Sequence, residues 1–149
     1  MIVTFFGHTK IPYGNEVSNK LSQLLEEKIN GQDVTFYLGC NGRFDGVALY
    51  CCVQYKEKHG NARLAFVTPS TNEKYLKSRK NRLEIFDEIV YPDLENAPTQ
   101  SATVDRNRYM VRQSDLVICY VQNKVTNSSK LMDYAISLQK PYYNLYSLN

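Results

Sequence analysis

An α/β domain of three layers, with a mostly parallel sheet between helices, is the fold the sequence predicts. Three observations predict it. Short β-branched and aromatic runs recur along the chain, stretches with apolar residues at helical spacing separate them, and Asp115-Leu116-Val117-Ile118-Cys119-Tyr120-Val121 is apolar almost without a break. A strand apolar on both faces belongs inside a parallel sheet, and parallel strands need helical crossovers. The 149 residues fit one domain, 1–149.

The elements follow in order. Residues 1–6 (Met1-Ile2-Val3-Thr4-Phe5-Phe6) form a first strand, and 7–14 the loop after it. Val17, Leu21, Leu24, Leu25 and Ile29 recur at helical spacing, and Gly31 stops that helix. Val34 to Leu38 is a second strand. Phe44, Val47, Ala48, Cys51, Cys52 and Tyr55 share one face of a helix over 44–58, and Ala62 to Val67 is a third strand, ended by Thr68-Pro69-Ser70. From Thr71 to Leu83 the chain is polar and basic, which fits either a flap or a short surface helix. Glu88 to Tyr91 is a short strand. After Asn96-Ala97-Pro98-Thr99-Gln100 come a helix over 104–113, the buried strand over 115–121, a polar turn, a helix over 130–138 and a terminal strand over 141–145.

Composition narrows the function. The net charge of +3 is modest and the basic residues are scattered, apart from an excess between Lys74 and Arg82. Twelve tyrosines do not alternate with Lys or Arg as a track for stacked bases would. The expected partner is therefore a small anionic molecule and not a nucleic acid. No apolar run is long enough to span a bilayer and the brief apolar start lacks a basic leader, so a cytoplasmic protein with no membrane partner is expected. Cys40, Cys51, Cys52 and Cys119 have no CxxC spacing and only His8 and His59 accompany them, so neither a metal nor another cofactor is expected. The tyrosine-rich surface points to a homo-oligomer, such as a dimer.

Parallel sheets bind ligands beyond the carboxyl ends of their strands. Three loops leave such ends: Gly7-His8, Gly39 to Asp45, and Gln122 to Ser129. Glycines followed by a helix allow backbone amides to approach a phosphate, which makes Gly39, Cys40, Asn41 and Gly42 candidate ligand contacts. Gly7 and His8 join them from the first loop. Asn127, Ser128 and Ser129 join from the third, where Ser128 or Ser129 equally fits a helix N-cap. The Gly39–Gly42 segment lacks the Gly-Lys-Ser/Thr ending of a Walker loop and the spacing of a dinucleotide fingerprint. Arg106, Arg108 and Asn107 precede the buried strand, and an inward guanidinium could fork onto phosphate. At a spacing of two residues Arg106 and Arg108 cannot face the same way. Asp45 and Asp133 are the carboxylates that could align water, against the plainer readings of a helix-dipole partner and an ion pair with Lys130.

The segments Phe5-Phe6-Gly7-His8, Phe36-Tyr37-Leu38-Gly39-Cys40-Asn41-Gly42-Arg43-Phe44-Asp45, Tyr91-Pro92-Asp93-Leu94-Glu95, Arg106-Asn107-Arg108-Tyr109-Met110-Val111 and Ser114 to Val121 come in an order that resembles the SLOG superfamily. This Rossmann-like group includes the LOG nucleotide phosphoribohydrolases and DprA-related domains, and its small bacterial and phage branch carries an FYxGxxGxFD element similar to 36–45. The chain departs from relatives at Thr126-Asn127, where a Gly-Gly pair is common, and at Thr9, where an arginine follows Gly-His. The resemblance implies a single Rossmann-like three-layer domain that binds a nucleotide or nucleotide-derived ligand. It further implies hydrolysis of the N-glycosidic bond of a nucleoside 5′-monophosphate, with Arg106 or Arg108 in the arginine role and Asp133 or Asp45 as the carboxylate. The alternative is a non-catalytic nucleotide-sensing or interaction domain.

Overall fold

The strands β1 (Ile2–Gly7), β2 (Val34–Leu38), β3 (Ala62–Val67), β4 (Glu88–Val90), β5 (Leu116–Tyr120) and β6 (Tyr142–Asn144) form one six-stranded sheet in the order β4-β3-β2-β1-β5-β6. Every pairing is parallel, with Val3 beside Phe36 and Leu116. The computed structural model describes residues 1–92, 94 and 101–148. Asp93, Glu95 and the connection read over 96–100 lie outside the described residues. The chain is a single Rossmann-like α/β domain, as its patterning predicts.

Between the strands run α1 (Glu16–Ile29), α2 (Arg43–His59), α3 (Glu73–Ser78), α4 (Lys80–Leu83), α5 (Ala102–Gln113) and α6 (Asn127–Ser137). The strand order explains the layering. From β1 the chain steps outward to β4, then returns to place β5 on the other side of β1. Crossovers of one hand running in opposite directions leave their helices on opposite faces of the sheet. Accordingly α1 and α2 cover one face with Val3, Phe5, Phe36, Leu64 and Ile118, and α5 and α6 the other with Phe6, Val117, Cys119 and Val121. Strand β5 alternates between the two cores, which is why its sequence is apolar throughout.

The polar stretch 71–83 folds as α3 and α4, not as a flap. Asn72 caps α3 by accepting from the amides of Lys74 and Tyr75 at 2.9 and 3.3 Å. Tyr75, Leu83 and Phe86 supply the apolar contacts that hold the segment to the core, too widely spaced to show as a helical repeat. All four cysteines are buried and none is in a disulfide. Among the described residues no helix is long and apolar enough to cross a membrane.

Candidate functional site

β1 and β5 are the neighbours at which the strand order reverses, and a cleft of about 850 Å³ opens beyond their carboxyl ends. The three loops named from the sequence meet there. Gly7, His8, Thr9 and Lys10 form one wall, Asn41 and Asp45 another, and Gln122, Asn123, Thr126, Asn127 and Ser128 a third. The start of α5 closes it with Ser101, Thr103, Val104 and Asn107. Neutral hydrogen-bonding groups dominate, and Lys10 is exposed at the edge.

The Gly39–Gly42 loop is tied down by its own neighbours. The Asn41 amide donates to Asp45 Oδ2 at 2.8 Å, the Arg43 amide to the Thr9 carbonyl at 3.0 Å, and the Phe44 amide to the His8 carbonyl at 3.4 Å. Gly42 has a φ of 98°, and a Cβ there would lie 2.8 Å from Thr9 Cα. The residue must be glycine because the chain turns left-handed directly against the neighbouring loop. Gly39 lies under the Arg106 guanidinium, and Cys40 is buried. The Asn41 amide is thus taken by Asp45, and the amides of Arg43 and Phe44 join the two loops.

The two candidate arginines diverge, as their spacing requires. Arg106 is 2% exposed and its Nη1 donates to the carbonyls of Gly39 at 3.2 Å and Val67 at 2.7 Å, while Nε donates to Asn107 Oδ1 at 2.8 Å. It ties together the carboxyl ends of β2 and β3. Arg108 instead lies over the Tyr134 ring, 5.3 Å from its centroid. Asp133 is exposed on α6 and does not line the cleft.

Among the described residues Asp45 is the one carboxylate lining the cleft, and it is buried. Burial pushes its pKa from the ordinary 3.8 up to about 6, against the Asn41 amide and the positive charge of Arg106, which both pull it down. Burial in turn lowers the pKa of Arg106, with Asp45 opposing. A folded pKa above the unfolded one means that the native state holds the proton more tightly. The contribution of Asp45 to stability is therefore largest below 3.8 and is lost as pH rises to about 6. Asparagine can still accept from the Asn41 amide. Asp45→Asn should match the parent at low pH and gain on it across that window in urea denaturation, and a difference that does not change with pH would contradict this account.

On the third wall, Thr126 caps α6. Its Oγ1 accepts from the Ser129 amide at 3.1 Å while Ser129 Oγ accepts from the Thr126 amide at 3.1 Å, a reciprocal capping box. Ser129 is thereby committed to the cap, and Asn127 and Ser128 head the first turn, whose amides have no partner within a helix. The amides of Gln122 and Asn123 both donate to His8 Nε2, at 2.8 and 3.3 Å. His8 thus acts as an acceptor, with its ring proton on Nδ1, and fastens the loop after β1 to the loop after β5. Sequence reasoning missed Lys10 and Thr103 as wall residues. The position of Lys10 in the loop after β1 was an available signal, whereas Thr103 lies in the first turn of α5.

Among solved structures, the fold is shared with DNA processing protein A (DprA) from Streptococcus pneumoniae, with a TM-score of 0.65 and 13% identity over 95% of this chain and 49% of that one. It is also shared with DNA processing protein A from Helicobacter pylori, described by its single-stranded DNA binding mode, with a TM-score of 0.64 and 17% identity over 95% of this chain and 63% of that one. The chain thus spans about half of the first protein and under two thirds of the second. No protein-family model and no curated protein matches the sequence. At these identities the likeness to DprA establishes the Rossmann-like fold.

These likenesses correct two expectations. The main functional reading, a nucleotide ligand with N-glycosidic hydrolysis, and with it the nucleotide-binding and hydrolase classes, gives way because these two solved proteins that share the fold are DNA processing proteins. The physical reason is in the site. The amides of Asn41, Arg43 and Phe44 are engaged, Arg106 is closed into the core, and Asp133 faces solvent. The exclusion of nucleic acid as a partner falls to the single-stranded DNA binding of the Helicobacter pylori protein. That exclusion rested on the order of aromatic and basic residues along the chain, and folding brings together Tyr13 and Arg43, which the sequence separates.

Proposed function

We propose that this chain is a non-catalytic domain that binds single-stranded DNA, with the backbone of the strand in the cleft between the ends of β1 and β5. The observation that carries this reading is the lining of that cleft. It combines the first turn of α6 and Lys10 with neutral donors and acceptors, and the one carboxylate among its described lining residues is buried and bonded to a backbone amide. The dipole of α6 and the leading amides of its first turn suit a phosphodiester. The fold likeness to a protein with a single-stranded DNA binding mode supports the choice of polymer. A reducing, cytoplasmic setting belongs to the same proposal and is supported by four cysteines without a disulfide.

The test is fluorescence anisotropy with a labelled oligothymidine of about 20 nucleotides, titrated across a salt series and against the matching duplex. Binding that weakens linearly on a log–log plot with salt, with the single strand preferred, is the expected result. No binding at low salt would overturn the proposal. Ser128→Glu is expected to weaken binding by about tenfold or more, because a carboxylate at the start of α6 repels phosphate while suiting the helix dipole. The variant should keep its thermal midpoint, which separates a lost contact from a lost fold.

A further inference from the structure

A second depression lies beside the cleft, between α1 and the first turns of α2. It is a groove of about 670 Å³ whose walls include Asn15, Asn19, Arg43, Gly46, Tyr50 and Gln54. Among the described residues no carboxylate lines it. Glu16, at the start of α1, is exposed and paired with Lys20 at 3.3 Å. Asn41 borders the cleft and Gly42 borders this groove, so one step along one loop separates them.

At the groove stands an unusual pair. Tyr13 is 85% exposed, and the Arg43 guanidinium lies 3.8 Å from the centre of its ring. An exposed tyrosine on a loop would ordinarily sample several rotamers. Here one face of the ring is held by a cation, and the backbone beneath both residues is fastened by the Arg43 amide bonding to Thr9. The left-handed Gly42 sets the distance between the two loops. What results is a flat π surface, supported from behind, next to a fixed positive charge. Tyr50 is 58% exposed on α2 and lines the same groove.

Resting on the proposed binding of single-stranded DNA, we infer that Tyr13 on Arg43 is a base-stacking platform, and that the groove beyond it holds the bases of a strand whose backbone leaves the cleft over Gly42. Stacking on an aromatic face needs no particular base, so this site adds affinity without sequence preference. Asn15, Asn19 and Gln54 can meet whichever base edges arrive, since each amide both donates and accepts. Further along, the groove meets a neighbouring depression that shares Ser22 and Gln54, where Glu26 is paired with Lys58 at 3.2 Å.

The chain has no tryptophan, so Tyr13→Trp introduces a single indole at the platform. Its fluorescence should be quenched by oligothymidine and unaffected by an abasic strand of equal length. Tyr13→Ala should weaken oligothymidine binding about tenfold while leaving abasic-strand binding unchanged, and Tyr13→Phe should restore it. Because the side chain is exposed, none of these changes should move the thermal midpoint. Wild-type binding of oligothymidine by Tyr13→Ala, or an equal loss for both strands, would overturn the platform while leaving the cleft proposal intact. Failure of the parent protein to bind either strand would overturn both.

Discussion

Arg106→Ala is expected to destabilise the domain by about 4 kcal/mol, the largest effect of any single change considered for this chain. The side chain is almost wholly buried, and its guanidinium is the donor for the carbonyls of Gly39 and Val67. Truncation leaves those two acceptors at the ends of β2 and β3 without their donor, removes the positive charge that helps Asp45 ionise, and opens a void. Both carbonyls accept from one nitrogen, Nη1, which a lysine ammonium can replace, but lysine cannot also make the Nε bond to Asn107, so Arg106→Lys should recover only part of the loss. Urea denaturation measures this as a lower midpoint at unchanged slope. A loss under about 1 kcal/mol would show that both carbonyls find other donors and that Arg106 is not the tie described here. The distinction bears on function. An arginine that gripped a ligand would lose affinity on substitution and leave the fold intact.

Gly7→Ala should cost about 3 kcal/mol for a different reason, overpacking. A Cβ at Gly7 would lie 2.6 Å from Phe44 Cγ and Cδ2 and 2.9 Å from its Cβ. Phe44 is fully buried in the first turn of α2, so it has no open space to rotate into. The helix start must lift from the end of β1, which strains the Phe44 amide bond to His8 and the Arg43 amide bond to Thr9. Oligothymidine affinity should fall along with stability, because the same bonds position the cleft wall and the Tyr13 platform. In a double-mutant cycle with Phe44→Leu the combined cost should be less than the sum. Strict additivity would place the strain elsewhere.

Much of this architecture could be read from the chain. β2 and β3 have the bounds that their β-branched and aromatic runs predict, and the unbroken apolar character of β5 shows that both its faces are covered. Periodicity placed α5 and α6 but began them late, at 104 and 130. The structure starts them at Ala102 and Asn127, behind caps at Ser101 and Thr126 that polar residues in a polar turn do not single out. The convergence of three loops followed from the strand–helix alternation of a parallel sheet, and the cleft is lined by all three. What each residue does there was less legible. Periodicity shows that Arg106 and Arg108 diverge but not which turns inward, because that depends on carbonyls belonging to Gly39 and Val67, far away in sequence. The engagement of the Asn41, Arg43 and Phe44 amides is likewise a contact between distant loops, and a glycine-rich spacing cannot show whether its amides are open or bonded. The Tyr13–Arg43 pair joins residues that have no shared motif.

Cys40, in the loop after β2, and Cys51 and Cys52, in α2, belong to one core, and Cys119, in β5, to the core on the other face, where burial pushes its thiol up to about 12. Burial raises Cys51 and Cys52 as well. A thiol that is both covered and protonated reacts with alkylating reagents only when the surrounding structure opens. The chain therefore carries an intrinsic set of clocks. Alkylation rates resolved by peptide mass would report how often the loop, the helix and the sheet centre each become accessible, and a bound strand should slow the clocks nearest to it.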